Sequence, residues 1–256
     1  MLFLWNNTQI NFQPDIRVML MIKNLTLKTV ILTIFMCFTV LVSKAQLGYN
    51  YNQFDFGIAA GADQVYGDAE SITTTPTIHV SLNYNQSPFI NYILEVQGGK
   101  LQGGNEYKDS SGRQFSNSFT AFLFRAQVQA GELIDYSESP FANAMKNFYL
   151  SSGVGYIVNH VTANRYSFLI PGYYTPGKNS SNEIFIPARI GYEFKIFNQY
   201  NIPNLKVDIA YQYNFVMGDD IDGYETGKSK DKFSQLTIGL KFAFGALTSY
   251  RKSIQF

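Results

Sequence analysis

From residue 231 to residue 245 the chain reads DKFSQLTIGLKFAFG, and its side chains fall into two unlike sets. Leu236, Ile238, Leu240, Phe242 and Phe244 take the even positions, while Gln235, Thr237, Gly239, Lys241 and Ala243 take the odd ones. A period of two is that of a β-strand, whose successive side chains point to opposite faces. The apolar face is unbroken for about ten residues, the length that a strand tilted by roughly 40° needs to cross membrane hydrocarbon.

The alternation recurs upstream. At residues 53–62, Phe54, Phe56, Ile58 and Ala60 oppose Asp55, Gly57, Ala59 and Gly61. Further strands are expected at 75–84, 89–99, 115–131, 148–160, 183–197 and 204–216, with Leu123 interrupting the fourth. About eight strands is an even number that lets the sheet close on itself and leave no edge for lipid to solvate. The expected fold is therefore all-β, a closed antiparallel up-and-down transmembrane β-barrel. Its connections sort by length: 63–74, 100–114, 161–182 and 217–230 are long, and 85–88 and 198–203 are short. Barrels of this kind keep short turns in the periplasm and long loops outside, which assigns both termini to the periplasm. The connection at 133–147 breaks the rule and is expected to be a partly structured periplasmic segment.

The N-terminus changes the compartment rather than the fold. Residues 29–42, TVILTIFMCFTVLV, form an apolar run preceded by Lys23 and Lys28 and followed by Ser43 and Ala45, the pattern of a secretory signal peptide cleaved after Ala45. Residues 1–45 are thus read as an upstream extension and leader, with Met19 or Met21 the better start, and 46–256 as the barrel domain. The single cysteine, Cys37, lies within the apolar run rather than at its end, which disfavours lipidation. A mature chain without cysteine has neither disulfides nor a thiolate site. Removing the leader takes four of the 20 basic and one of the 19 acidic residues, for a net charge of −2, and no basic patch marks a nucleic-acid partner.

If the apolar faces meet lipid, the other faces fill the interior. There the ionisable residues are Asp55, Glu95, Glu193 and Asp208 against Arg125, Arg189, Lys206 and Lys241, a balanced set expected to pair as a barrel-interior charge network. Folding strands six and seven about their short turn should bring Glu193 close to Lys206. Tyr84, Tyr92, Tyr149, Tyr192, Tyr213 and Phe244 suit aromatic girdles at the two interfaces. The inward glycines Gly57, Gly61, Gly153, Gly155, Gly191 and Gly239 make room for bends and bulky neighbours.

Reactive chemistry is sparse. His79, Ser81 and Glu95 share an inward face and form the one arrangement that hints at a lipid hydrolase, but they lie deep in the barrel; His160 is a loop-border residue. Residues 218–225, GDDIDGYE, resemble part of a calcium loop yet lack the EF-hand spacing and its distal glutamate. No metal, cofactor or catalytic residue is therefore expected. The SKAQ leader end, the acidic loop at 219–224 and the closing GLKFAFG together resemble the OmpA-like eight-stranded outer-membrane β-barrel proteins of the Bacteroidota. That resemblance implies a non-enzymatic, monomeric barrel in the outer membrane, with structural or surface-interaction work. Its expected partners are membrane lipid, the barrel-assembly machinery during insertion, and an unidentified extracellular partner. The chain ends at Phe256, short of the peptidoglycan-binding domain that larger members append. A second reading turns the faces inside out, as a soluble periplasmic lipocalin-like barrel around an apolar ligand.

Overall fold

A computed structural model describes residues 48–105, 107–109, 111–137, 139–166, 171–225 and 230–251. The leader, with Cys37 and Trp5, lies outside them. Among the described residues nine strands form: β1 (Gly48–Tyr66), β2 (Ile72–Thr73), β3 (Thr75–Asn85), β4 (Ile90–Gly104), β5 (Gln114–Gln129), β6 (Phe148–Asn164), β7 (Ser180–Phe197), β8 (Pro203–Val216) and β9 (Lys232–Arg251). All pairings are antiparallel. The ring runs β1–β3–β4–β5–β6–β7–β8–β9 and back to β1, so eight strands close on themselves; the two-residue β2 adds onto the far end of β4.

The period of two decides which way each residue looks. Ile58 pairs with Val80 on one side and Leu240 on the other, and all three face outward, as do Ile78 and Ile238 at 66% and 58% exposure. Asp55 and Glu193, on the opposite parity, are each 1% exposed. The lipocalin-like arrangement needs the apolar faces turned in, and these faces are turned out.

Several strands outrun their expected bounds. β1 begins at Gly48 and β9 continues to Arg251, because each satisfies the other's backbone along its full length, from Gly48↔Arg251 to Tyr66↔Lys232. β3 joins β1 only from the Phe54↔Tyr84 pair, and β8 joins β9 only from Leu205↔Phe242. The stretch beyond is therefore a two-stranded ribbon at the short-turn end. β5 stops at Gln129, not at 131, since the Gly131 N–H leaves the ladder to donate to the Lys146 carbonyl at 2.7 Å. A Cβ on Gly131 would also come within 2.4 Å of the Phe89 ring. The 130–147 connection carries two short helices, α1 (Ala130–Leu133) and α2 (Pro140–Met145), the second capped by Ser139, whose Oγ accepts from the Ala142 N–H at 3.1 Å.

Three layers fill the lumen. At the loop-bearing end an apolar cluster gathers Val65, Leu101, Phe119, Leu123, Ile157, Phe185 and Phe233 with Ile221 from the β8–β9 loop. Leu123 interrupts the polar inward face of β5 because this cluster needs it. The middle is polar and charged. At the short-turn end Tyr51, Phe89 and Tyr136 close the base, with Tyr250 of the ribbon packed on them.

Candidate functional site

The charged layer is built by inward residues of all eight strands of the ring. Glu95 of β4 accepts from Arg125 of β5 through Oε2, while its Oε1 meets His79 Nδ1 at 2.9 Å and Gln97 Nε2 at 2.6 Å. Arg125 also donates to Ser151 Oγ at 3.1 Å. A second group centres on Asp208 of β8. Its carboxylate accepts from Arg189 Nη2 at 2.8 Å, Tyr149 OH at 2.8 Å and Lys241 Nζ at 3.1 Å. Lys241 reaches on to Glu193 Oε2 at 2.8 Å, and Lys206 bonds Asp55 Oδ2 at 2.6 Å.

The β7–β8 register gives these pairs their pattern. Glu193 lies directly across from Asp208, and Lys195 directly across from Lys206, so like charges face like at adjacent inward positions. Glu193 and Lys206 are brought close, as the short turn implies, as diagonal neighbours at 3.9 Å, in a register set beside a bulge between Ile196 and Phe197. Like charges opposite one another repel, and two of these side chains take their main partner from elsewhere around the ring, Lys206 from β1 and Glu193 from β9, while Asp208 takes Arg189 further along β7. Buried charges of this kind persist only when fully paired.

Within this layer a cavity of about 20 Å³ is lined by His79, Glu95, Arg125, Tyr149, Asp208 and Lys241 among others. That is space for about one water, far below what a hydrolase substrate needs. Among the described residues His79 Nε2 has no hydrogen-bond partner, so the imidazole is not bonded to Ser81, and the serine–histidine–carboxylate relay is not assembled.

The loop-bearing mouth is stoppered by the loop between β8 and β9. Ile221 is buried in the apolar cluster and its carbonyl accepts from Asn117 Nδ2 at 2.8 Å. Tyr224 OH donates to the Gln114 and Asn164 carbonyls at 3.0 and 2.8 Å, fastening the loop to β5 and β6. Asp222 Oδ2 accepts from the Asp68 N–H at 2.6 Å and Asp231 Oδ2 from the Ile221 N–H at 2.9 Å. Both carboxyls are buried against Gly67, where a Cβ would lie 2.4 Å from Asp222 Oδ2 and 2.7 Å from Asp231 Oδ1. Burial pushes Asp222 up to about 6; burial, then the Asp222 charge, pushes Asp231 up to about 8. Outside this pair, Lys178 bridges Asp220 at 3.0 Å and Glu225 at 2.7 Å. Among the described residues, no group of three or more His, Cys, Asp or Glu is placed to hold a metal ion.

Two contributors escape sequence reading. Lys195 points inward, donating to the Pro88 carbonyl at 2.6 Å and Gln129 Oε1 at 2.7 Å with the Phe89 ring 4.6 Å away; its parity with Arg189 and Glu193 is the signal. Tyr149, expected in an interfacial girdle, is buried in the lumen because it shares the parity of Ser151, and its hydroxyl bridges Arg189 and Asp208. Tyr84, Tyr92 and Phe244 face outward.

No protein-family model and no curated protein matches the chain. Among solved structures it is similar to Ail, the attachment invasion locus protein of Yersinia pestis, at 12% identity and TM-score 0.41, covering 76% of this chain and 99% of that one. It is similar also to Neisserial surface protein A, at 12% identity and TM-score 0.39, covering 77% and 99%. A third is the outer membrane protein OprG from Pseudomonas aeruginosa, at 12% identity and TM-score 0.35, covering 77% and 98%. Likeness at this level concerns strand arrangement alone and says nothing of ligand or role.

Proposed function

We propose that the chain is a small, non-enzymatic outer-membrane barrel of the OmpA-like type seen in Bacteroidota, made with a cleaved signal peptide and acting as a monomer at the cell surface. The observation that carries this reading is the inverted partition of the closed ring: Phe56, Ile58, Leu94 and Ile238 face outward around it while Asp55, Arg125, Arg189 and Glu193 are buried. In water that partition would leave a large apolar surface unsolvated; in a bilayer it is the stable one. A closed ring also meets the requirement that every backbone group in lipid be bonded internally. In this reading the barrel-assembly machinery inserts the chain, and both termini and the short turns lie in the periplasm. The paired charges brace the wall rather than pass ions. The four long connections carry the surface role, shielding the membrane or meeting an extracellular partner.

The test is a comparison of unboiled and boiled protein on gels, taken from isolated outer membranes. Heat-dependent migration in that fraction is the expected result, because hydrogen bonds that close on themselves resist detergent. Recovery in the soluble periplasm with no heat-dependent shift would refute it.

A further inference from the structure

The 130–147 connection turns part of its apolar surface outward. Lys146 Nζ donates to Asn143 Oδ1 at 2.7 Å and lies 5.1 Å from the Tyr136 ring, and all three residues are buried. Leu133 at 79%, Phe141 at 75% and Met145 at 36% are exposed, as is the polar Ser137. Phe141 and Met145 are four residues apart in α2 and so share one helix face. A segment folding in water would turn these choices around. The same inversion marks the barrel wall, where the surrounding solvent is taken to be lipid.

Position agrees with pattern. Tyr136 and Gly131 pack on Phe89 over the lumen, but α2 is fastened to the outside of the wall. Its anchor is Tyr192, which has the outward parity of Ile184, Ile186 and Ile190, and whose hydroxyl donates to the Ala144 carbonyl at 2.6 Å. The helix thus sits under the lower rim of the apolar belt and continues it.

We propose that this connection is a membrane-surface anchor, with Leu133, Phe141 and Met145 inserted at the headgroup–acyl boundary of the leaflet on the short-turn side. The occupant of the patch is phospholipid, not a second protein. A short amphipathic segment lying in that boundary fixes the depth and tilt at which a barrel rides. The proposal rests on the membrane reading above, and its test separates the two.

With Trp5→Phe as the background, single tryptophans are introduced as Phe141→Trp, Leu133→Trp, Ile238→Trp on the belt and Tyr107→Trp on an exposed loop. Each full-length protein is reconstituted in phosphatidylcholine vesicles, and only variants that keep heat-dependent gel migration are read. The expected result is that the tryptophans at 141 and 133 are quenched by lipid brominated near the carbonyl end of its chains. They should also show several-fold weaker acrylamide quenching than the one at 107. If 141 and 133 are quenched by acrylamide as strongly as 107 while 238 is quenched by brominated lipid, the anchor is overturned and the barrel reading stands. If 238 is itself open to acrylamide and untouched by brominated lipid, both fall.

Discussion

The buried carboxyl pair beneath the β8–β9 loop should make the stopper of the barrel mouth pH-dependent, in a calculable direction. Both groups titrate above the ordinary aspartate value of 3.8 when the loop is docked, Asp222 at about 6 and Asp231 at about 8. When the loop lifts into water they return toward that ordinary value. Between the two limits the docked state holds protons that the undocked state has released, so docking weakens as pH rises. Between about pH 4 and 8 the docked pair gives up its protons in turn, Asp222 before Asp231, and docking weakens over that window by on the order of 1 kcal/mol per pH unit for each proton at stake. Above about pH 8 the dependence ends, and below about pH 4 it has not begun. The pair is surrounded by Asp68 and Asp219, which add to the repulsion, while Arg113 and Arg165 stand nearer Tyr224. Asp231→Asn keeps an oxygen to accept from the Ile221 N–H and removes the upper arm, so its docking should be flat above about pH 6. Hydrogen exchange of a peptide covering residues 217–225, with rates divided by the intrinsic rate at each pH, reads the docking equilibrium directly. Equal protection at pH 5 and pH 8 in the wild type, or a fall in Asp231→Asn matching the wild type between pH 6 and 8, would refute the reasoning.

Ile238→Arg places a charge on the outward belt and should cost roughly 2 to 4 kcal/mol in denaturant unfolding from bilayers; a far smaller cost than that of Thr237→Arg would invert the face assignment. Arg125→Met leaves the Glu95 carboxylate with His79 and Gln97 alone and should cost about 3 to 5 kcal/mol, most of it recovered on adding Glu95→Gln. A double-mutant cycle with no coupling between the two positions would sink that claim. Gly155→Val would put a Cβ 2.3 Å from the Phe185 ring and should cost about 1 to 3 kcal/mol, lessened in combination with Phe185→Leu. An unchanged unfolding midpoint for the single variant would show the lumen there to be looser than the structure has it.

Much of the ring was open to reading because a strand states its two faces in alternate letters. Phe56 beside Asp55 and Ile238 beside Thr237 already separate outside from inside. Connection lengths already separate one end of the barrel from the other. What alternation does not state is which inward side chains meet. The Lys206–Asp55 bond spans 151 positions in the chain and exists only because β1 and β8 both flank β9 in a closed ring. The β7–β8 register is set beside a bulge between Ile196 and Phe197, so the short turn at 198–203 brings Glu193 near Lys206 without stating that Asp208 lies directly across from it. Residue type misled where parity did not: Tyr149 reads as an interfacial tyrosine and Leu123 as a fault in a polar face, yet both obey the period and line the lumen. Lys195 was hidden by its place near a strand end, where a long cation would ordinarily be left to solvent. The stopper loop carries no period, and although Pro140–Met145 reads as a helical turn and is one, nothing in the letters announces that the loop enters the mouth and the helix hugs the wall.

The β1–β9 seam bears on when the molecule can exist as well as on what it is. Every other ring pairing joins strands that are consecutive around the barrel and near in the chain, whereas this one joins Gly48 to Arg251. Loop closure over such a distance is the costliest contact in the topology and the slowest to form. Until β9 is in place, β1 has one bare edge and the charged lumen is open along its length. Ring closure thus waits for β9, and in the interval the chain must be kept from pairing that bare edge with another copy.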